Sequence, residues 1–259
     1  MIALYESGYR AITVEEFNDF MLNKKQLPNK SFLLTFDDGR KDSFYGADPI
    51  LKQLGFSAVM FTATGQSLTD NALFSKYYLD IFELKQMQDS HRWSIQSHAV
   101  QDEGGFIPIS NKQEGYFLSN KKWLDKEGRL ETDYEYKERV DYQLSEPKLV
   151  IEKIFKNNVS MFSYPFSDYG QESTNNKIIA QNVIRENIKK NYSFAFRQQQ
   201  GYDRGFVGNH PADDKLMLRR IEPASDWSAS KLVRTLLSGD QIDQILDDKP
   251  LPLSNFSDR

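Results

Sequence analysis

Leu33-Leu34-Thr35-Phe36-Asp37-Asp38-Gly39 places two adjacent carboxylates directly after an apolar run and directly before a glycine. A strand over residues 31–36 ends directly before the acids, and the glycine then turns the chain. Asp37 and Asp38 are therefore expected at the carboxyl end of a core strand. Adjacent residues that leave a strand point in different directions, so one acid can bind a cation while the other takes a proton. The alternative is a solvated Asp-Asp-Gly turn, which is a common loop composition.

Strands and helices alternate along the chain. The pattern predicts strands at residues 9–12, 31–36, 56–62, 93–97, 160–164, 192–196 and 216–221. It predicts helices at residues 13–22, 43–54, 78–90, 134–157 with a break at Pro147, 176–190 and 228–237. This alternation is typical of an α/β fold, and six or seven units indicate a (β/α) barrel of about seven mainly parallel strands. In the strand at residues 31–36, Phe32 and Leu34 should be buried on one face and Leu33 on the other.

The composition limits the class of protein. A chain of 259 residues with 39% apolar residues can form one large domain with a substantial core. We expect a single domain over residues 1–259, with a polar surface excursion near 104–130 and a polar tail near 240–259. The 33 basic and 37 acidic residues are scattered and give a net charge of -4, which argues against a nucleic-acid or anionic-membrane partner.

Several kinds of site and segment are absent from the sequence. There is no cysteine, so disulfides, thiolate metal sites and cysteine nucleophiles are excluded. No apolar run approaches the roughly 20 residues that span a bilayer. The segment from Met1 to Arg10 has neither a basic region nor an apolar region of the signal-peptide type, so the chain as given is predicted to carry no secretory signal.

Polar groups follow the ends of three predicted strands. Asp37 and Asp38 follow the strand at 31–36, His98 follows the strand at 93–97, and a polar and aromatic loop begins at Tyr164. In a parallel barrel the carboxyl ends of the strands meet on one face, where such folds place their chemistry. Three convergent sets favour a real site over an isolated turn.

Three segments resemble motifs of the polysaccharide deacetylases, the NodB-homology group of carbohydrate esterase family 4: Thr35-Phe36-Asp37-Asp38-Gly39, Gln96-Ser97-His98 and Phe162-Ser163-Tyr164-Pro165-Phe166. The branch that deacetylates poly-N-acetylglucosamine is the most similar, since it also shares Gly8-Tyr9-Arg10-Ala11-Ile12-Thr13, Leu218-Arg219-Arg220-Ile221 and Asp226-Trp227-Ser228. The resemblance implies a distorted (β/α) barrel and metal-dependent hydrolysis of N-acetyl groups on a hexosamine-containing polymer or oligomer. It also implies an extracytoplasmic or cell-envelope location, and we expect a monomer.

The resemblance makes Asp37 the general base and Asp38 a metal ligand. A divalent ion held by carboxylate and imidazole lowers the pKa of its bound water and polarises the acetyl carbonyl, while a neighbouring carboxylate accepts the water's proton. By the same resemblance Tyr164, Pro165 and Phe166 shape the acetyl pocket, and a backbone N–H of their loop helps to stabilise the oxyanion.

The sequence departs from the family at the second metal-binding histidine, which the family carries four or five residues after the first. Here His98 is followed by Asp102 at the first spacing and by Glu103 at the second. We expect one divalent ion held by Asp38, His98 and one of these two carboxylates. Zinc is the expected ion, although oxygen ligands also suit other divalent ions. The alternative is a catalytically impaired relative that binds carbohydrate and has a degenerate metal site.

The general acid is the second departure. In the family a histidine protonates the leaving amine, and in the poly-N-acetylglucosamine branch it lies in a Tyr-His strand that has no counterpart in this sequence. His210, within Gly208-Asn209-His210-Pro211, is the only substitute, and the alternative is that it is an ordinary surface histidine. A further hypothesis is a glycosidase that uses Asp37 with a distant acid.

Overall fold

Residues 1–199 and 206–237 are described by a computed structural model, and the tail predicted near 240–259 lies outside them. The strands are β1 (Arg10–Ala11), β2 (Ser31–Phe32), β3 (Thr35–Phe36), β4 (Ala58–Thr62), β5 (Trp93–Ser97), β6 (Phe106–Pro108), β7 (Glu114–Tyr116), β8 (Trp123–Leu124), β9 (Arg129–Leu130), β10 (Met161–Ser163), β11 (Phe194–Gln198) and β12 (Leu218–Arg220). The helices are α1 (Ile2–Glu6), α2 (Val14–Met21), α3 (Lys41–Leu54), α4 (Thr64–Ser67), α5 (Ile81–Asp89), α6 (Asp133–Phe155), α7 (Ala180–Asn191) and α8 (229–237). Among these described helices, none combines the length and the apolar character needed to cross a bilayer.

Within the described part of the chain, the main sheet contains six strands in the order β12-β11-β10-β5-β4-β3, and every neighbouring pair is parallel. Strands β1 and β2 form a separate two-stranded parallel sheet. Parallel neighbours need crossover connections, which explains why helices alternate with these strands along the chain. The predicted α/β fold with a distorted barrel is confirmed, and the described residues place six strands in the main sheet where about seven were predicted.

The predicted strand at residues 31–36 is two short strands that pair with different partners, so the single-strand prediction is wrong. β2 pairs with β1, and β1 ends just before α2, so the chain changes partner at Leu33 and Leu34. β3 then pairs with β4, and the N–H of Val59 donates to the carbonyl oxygen of Leu34 over 2.8 Å. The two faces are as predicted, since Phe32 and Leu34 pack against one core cluster and Leu33 against the other.

Both faces of the main sheet are covered by apolar side chains. On β4, Met60 belongs to the larger core cluster, whereas Val59 and Phe61 belong to the smaller one. Helix α2 closes the second face, where the ring of Phe17 lies 5.4 Å from that of Phe194. With both faces covered, as is usual for a parallel sheet, solvent reaches the strands at their ends.

Helix α6 runs without interruption through Pro147, so the predicted break is wrong. A proline has no N–H, and it leaves the carbonyl oxygen four residues earlier, that of Gln143, without its helical donor. The N–H of Val100 donates to this oxygen over 3.1 Å. The side chain of Gln143 binds the same loop, because it accepts from the N–H of Gln101 over 2.9 Å and donates to Oδ1 of Asp102 over 2.8 Å. The proline therefore frees a backbone acceptor that fixes the loop after β5.

The excursion at residues 104–130 is more regular than the sequence predicts. It contains two antiparallel hairpins, β6 with β7 and β8 with β9. Helix α6 anchors it, since the Tyr136 hydroxyl donates to the carbonyl oxygen of Leu118 over 2.7 Å and Arg139 donates to that of Phe117 over 2.6 Å. The excursion is thus part of the packed structure.

Candidate active site

The carboxyl ends of four strands of the main sheet meet at one group of polar side chains. Asp37 and Asp38 follow β3, His98 follows β5, Ser163 ends β10, and Arg220 ends β12. Each of these residues has an atom within 3.3 Å of another member of the group. Residues that are far apart in the sequence are therefore neighbours at this edge of the sheet.

Asp37 is bound by a bidentate contact with Arg220. Oδ1 of Asp37 accepts from Nη1 of Arg220 and Oδ2 accepts from Nη2, each over 2.7 Å. Oδ2 also accepts from the hydroxyl of Ser163 over 3.2 Å, and Nη1 of Arg220 donates to the hydroxyl of Thr35 over 3.1 Å. Parallel charge-assisted hydrogen bonds of this kind fix the plane of a carboxylate as well as its charge.

The charge of Arg220 determines the ionisation of Asp37. Burial by itself disfavours the carboxylate, but the positive charge of Arg220, a contribution from His98, and the hydrogen bonds from Arg220 and Ser163 outweigh it. Together they lower the pKa of Asp37 from 3.8 to about 2. Asp37 is consequently ionised at neutral pH.

Asp38 faces His98. The backbone of Asp38 is left-handed, with φ of 69°, and this redirects its side chain from that of the preceding acid. Oδ1 of Asp38 lies 3.3 Å from Nε2 of His98, which is 3% exposed. Nδ1 of His98 lies 2.8 Å from the carbonyl oxygen of Ser163, which can only accept, so Nδ1 carries the hydrogen. Metal-binding histidines are oriented in the same way.

Gly39 allows the turn after the acids to pack closely. Its φ of 75° is strained for any other residue, and a β-carbon at this position would lie 2.7 Å from Oγ of Ser67 in α4. The glycine therefore sets the approach of α4 to the site.

Asp102 and Glu103, the two predicted candidates for the third ligand, have other partners in the structure. Asp102 accepts through Oδ1 from Gln143, and Glu103 pairs with Nζ of Lys122, with Oε1 at 2.6 Å. Across residues 1–199 and 206–237, no three histidine, aspartate or glutamate side chains are grouped closely enough to hold a metal ion. Among the described residues, the donor set therefore suits a divalent ion at two positions, Asp38 and His98, and offers no third protein ligand in this arrangement.

The three residues predicted for the acetyl pocket have different environments. Tyr164 is buried, its hydroxyl donates to the carbonyl oxygen of Leu216 over 3.1 Å, and its N–H donates to that of Phe196 over 2.9 Å. Pro165 is also buried. Of the three, only Phe166 presents its side chain to solvent.

His210 lies in a turn that is attached to β12. Its N–H donates to Oδ2 of Asp213 over 2.9 Å, and Arg219 donates to the same oxygen over 2.7 Å. Arg219 and Arg220 are adjacent in a strand, so their side chains point to opposite faces. The turn of His210 is thus anchored to the neighbour of the arginine that binds Asp37.

Two residues of this group, Arg220 and Ser163, had no predicted chemical role. The role of Arg220 could have been predicted, because an arginine within the apolar strand predicted at 216–221 needs a carboxylate partner if it is buried. In the structure its side chain is 11% exposed. Ser163 had no comparable signal in the sequence. It connects the two acids, since its hydroxyl donates to Asp37 while its carbonyl oxygen holds His98.

Known proteins share this sequence pattern. The profile of the polysaccharide deacetylase family matches residues 24–182. The YxkH protein of Bacillus subtilis (strain 168) is 23% identical over 172 residues, which cover 66% of this chain and 49% of the relative. The poly-β-1,6-N-acetyl-D-glucosamine N-deacetylase of Escherichia coli (strain K12) is 23% identical over 220 residues, which cover 76% of this chain and 29% of the relative. The chain thus matches about half or less of the length of these relatives.

A solved structure has a similar fold. The de-N-acetylase from Aggregatibacter actinomycetemcomitans superposes with a TM-score of 0.68 over 90% of this chain and 85% of that chain, at 18% identity. At this identity the likeness concerns the fold alone. The family profile, by contrast, spans more than half of the chain and includes both acids, His98 and Ser163, and on this ground the chain belongs to the polysaccharide deacetylase family.

Proposed function

We propose that this chain hydrolyses N-acetyl groups of an N-acetylhexosamine-containing polysaccharide and releases acetate, with the help of a divalent metal ion. Family membership supports a deacetylase, and one relative is named for the N-deacetylation of poly-β-1,6-N-acetyl-D-glucosamine. Following the family resemblance, we extend the proposal to a carbohydrate polymer or oligomer outside the cytoplasm.

The observation that carries the proposal is the separation of two adjacent acids into different surroundings. Asp37 faces the guanidinium of Arg220, whereas Asp38 faces the imidazole of His98. Hydrolysis of an amide by water needs a group that takes the proton of the water and a positive centre that stabilises the oxyanion. Asp37 can take the proton of the water, and Asp38 together with His98 can hold a cation that serves as the positive centre.

Asp37 keeps room for the proton of a water molecule. A carboxylate has about four acceptor positions. Two are occupied by the guanidinium of Arg220 and one by the hydroxyl of Ser163. The remaining position is available to a water, and the bidentate contact orients the carboxylate before substrate binds.

Asp38 and His98 are the residues that would hold the ion. With Nδ1 of His98 protonated, Nε2 and the Asp38 carboxylate face each other as acceptors at 3.3 Å, so a proton or a cation is needed between them. When bound, a divalent ion lowers the pKa of its water and polarises the acetyl carbonyl. We propose Asp102 as the third ligand, because its Oδ2 makes no hydrogen bond with any described residue, whereas both carboxylate oxygens of Glu103 contact Lys122.

The N–H of Phe166 is the donor that we propose for the oxyanion. Tyr164 donates its N–H to Phe196, and Pro165 has none. Within the described residues, the N–H of Phe166 has no hydrogen-bond acceptor. A preorganised donor of this kind stabilises charge that develops on a carbonyl oxygen.

His210 is the residue that we propose for protonating the leaving amine. Its turn is attached to β12, the strand that also carries Arg220. His210→Gln should therefore lower acetate release and leave oligosaccharide binding unchanged. Unaltered acetate release would assign the proton donor elsewhere.

Product analysis tests the proposed function. Zinc-loaded protein and chelator-treated protein are incubated with β-1,6-linked N-acetylglucosamine oligomers, and both free acetate and glycan length are measured. We expect acetate from the zinc-loaded protein, less acetate after chelation, and no change in glycan length. Shortened glycan without acetate would identify a glycosidase.

A catalytically impaired carbohydrate-binding protein is the second candidate. It is favoured by the lack, within residues 1–199 and 206–237, of three grouped metal ligands. This candidate predicts oligosaccharide binding without acetate release at any zinc concentration. The same samples therefore separate the two functions.

A further inference from the structure

Three aromatic rings form a mutual cluster beside the candidate active site. The ring centroids of Phe106 and Tyr116 lie 4.9 Å apart, those of Phe106 and Phe166 lie 5.3 Å apart, and those of Tyr116 and Phe166 lie 5.2 Å apart. Phe106 and Phe166 are nonetheless 48% and 49% exposed. We call these three residues the aromatic platform. A contiguous exposed apolar patch on a folded domain marks a binding surface more often than a scattered ring does.

The aromatic platform joins the excursion to the loop of the active site. Phe106 and Tyr116 are paired residues of the β6–β7 hairpin. Phe166 follows Ser163, whose hydroxyl contacts Asp37, by three residues, so the two Cα atoms are at most about 11 Å apart. The platform is therefore within the reach of a single oligosaccharide that occupies the site.

The sequence makes space for the ring of Phe166. A β-carbon on Gly105 would lie 2.1 Å from this ring, so the ring can occupy its place beside residue 105 only because that residue is a glycine. The backbone of Phe166 is itself left-handed, with φ of 56° and ψ of 18°. Strain of this kind persists where the surrounding structure holds it, and it is concentrated at functional sites.

Buried hydrogen bonds hold the two halves of the platform together. Asp168, which is buried, accepts from the N–H of Ser119 over 3.1 Å, from the Ser119 hydroxyl, and from the N–H of Gly170 over 3.0 Å. Asn120 accepts from the N–H of Thr174 over 2.8 Å. The rings are therefore presented by a fixed framework, which lowers the entropic cost of binding.

We propose that the aromatic platform is a subsite on which a sugar ring of the glycan stacks, next to the residue that is deacetylated. This inference rests on the proposed function for the chemical class of its ligand. One face of a pyranose ring carries C–H groups that suit the negative face of an aromatic ring. Three rings cover far less than the roughly 800 Å² that each partner buries in a stable protein complex, so a sugar suits the patch better than a protein.

Oligosaccharide binding tests this subsite. Binding of a β-1,6-linked N-acetylglucosamine pentamer and of the monosaccharide is measured by calorimetry in the Asp37→Asn protein without added zinc, in which turnover during the measurement should be negligible. Adding Phe106→Ala or Tyr116→Ala should weaken pentamer binding by about ten-fold each and leave monosaccharide binding unchanged. Phe106→Leu, which keeps the apolar volume without an aromatic face, should weaken it as well.

Phe82→Ala is the matched control, because Phe82 is 68% exposed and makes no ring contact with the described residues. It should bind the pentamer as the parent does. Undiminished pentamer binding in the Phe106 and Tyr116 variants, or no binding by the parent, would overturn the subsite. If wild-type protein releases no acetate while the platform variants lose pentamer binding, the subsite stands and the proposed hydrolysis fails.

Discussion

The two halves of the candidate site differ in how completely their partners are supplied. One half, which we call the base half after its proposed role, consists of Asp37, Arg220 and Ser163, which are joined by hydrogen bonds of 2.6 to 3.2 Å. The other half, which we call the metal half after its proposed role, consists of Asp38 and His98, which face each other at 3.3 Å without a third candidate ligand grouped with them among the described residues. Asp37 therefore has its protein hydrogen-bond partners in place, whereas the neighbouring Asp38 lies in a site that lacks one candidate ligand within the described part of the chain.

This difference shows what the protein fixes in advance. The base half is positioned by the chain alone, whereas the metal half needs a positive charge between its two acceptors. Backbone strain is concentrated in the same loops, since five of the nine described non-glycine residues with positive φ follow β3, β5 or β10: Asp38, Ala99, Gln101, Phe166 and Ser167. Loops that are held in strained conformations are typical of functional sites.

The largest effect is expected from Asp37→Asn. An amide cannot take the proton of the water, so acetate release should fall by about 10²- to 10⁴-fold. Zinc uptake should stay at the wild-type level, because it belongs to the metal half. Asp141→Asn, at a half-exposed ion pair with Lys190, is the matched control and should change neither quantity. Full activity in Asp37→Asn would remove the base assignment.

Arg220→Met should follow in size, because it leaves the carboxylate of Asp37 without its charged partner. We expect the free energy of unfolding to fall by roughly 3 kcal/mol in chemical denaturation. Arg40→Met removes an exposed ion pair with Asp42 and should cost less than about 1 kcal/mol. Equal losses of unfolding free energy in the two variants would show that the ion pair of Asp37 with Arg220 stabilises the fold no more than an exposed ion pair does.

The pH dependence of Arg220→Met has a definite sign. In the wild type the pKa of Asp37 is lowered from 3.8 to about 2, so its contribution to stability is present above pH 3.8 and is lost as the pH falls toward 2. Without Arg220, its charge and hydrogen bonds no longer offset the effect of burial, so the pKa of Asp37 rises above its wild-type value. The acidic limb of the pH profile of acetate release should therefore move to higher pH. If the acidic limb did not move, it would not report the ionisation of Asp37.

Asp38→Asn should weaken zinc binding by more than about 100-fold, measured by competition with a chromophoric chelator, because even the loss of a partner that only orients a ligand costs about 10- to 100-fold. Its unfolding free energy without metal should remain close to the wild-type value, because Asp38 makes its close contact with His98 alone among the charged side chains of the described residues. Zinc binding equal to that of Asp37→Asn would show that the two halves are not distinct.

The smallest effect is expected on zinc affinity, when Asp102 and Glu103 are replaced separately. Asp102→Ala should reduce zinc affinity by less than about ten-fold. The reason is that Asp102 is not grouped with the other two proposed ligands, Asp38 and His98, before zinc binds. Glu103→Ala should leave zinc affinity unchanged, because Glu103 is paired with Lys122. The opposite order of effects would transfer the third position to Glu103.

Local patterns predicted the elements that depend on near neighbours. The strand Trp93–Ser97 lies at its predicted bounds, and α2 begins with the predicted capping box, in which the N–H of Glu16 donates to Thr13 over 3.2 Å. Gly55 ends α3 with φ of 66°, as its lack of a side chain allows. These features are decided within a few residues of sequence.

Distant contacts decided the features that the sequence did not reveal. The continuity of α6 through Pro147 depends on a donor from Val100, and the partner of Asp37 is 183 residues away at Arg220. Likewise Asp102 accepts a hydrogen bond from Gln143, which lies 41 residues later in the sequence. The choice between ligand candidates therefore depends on side chains that no local pattern connects.

Anomalous diffraction from wild-type crystals soaked with zinc tests the two-part site most directly. We expect one zinc ion at about 2.0 Å from both Oδ1 of Asp38 and Nε2 of His98, with Asp102 completing the protein ligands. Asp37 should keep its bidentate contact with Arg220 in the same crystals. A structure at saturating zinc with no ion between Asp38 and His98 would contradict the metal half and favour a carbohydrate-binding protein without turnover.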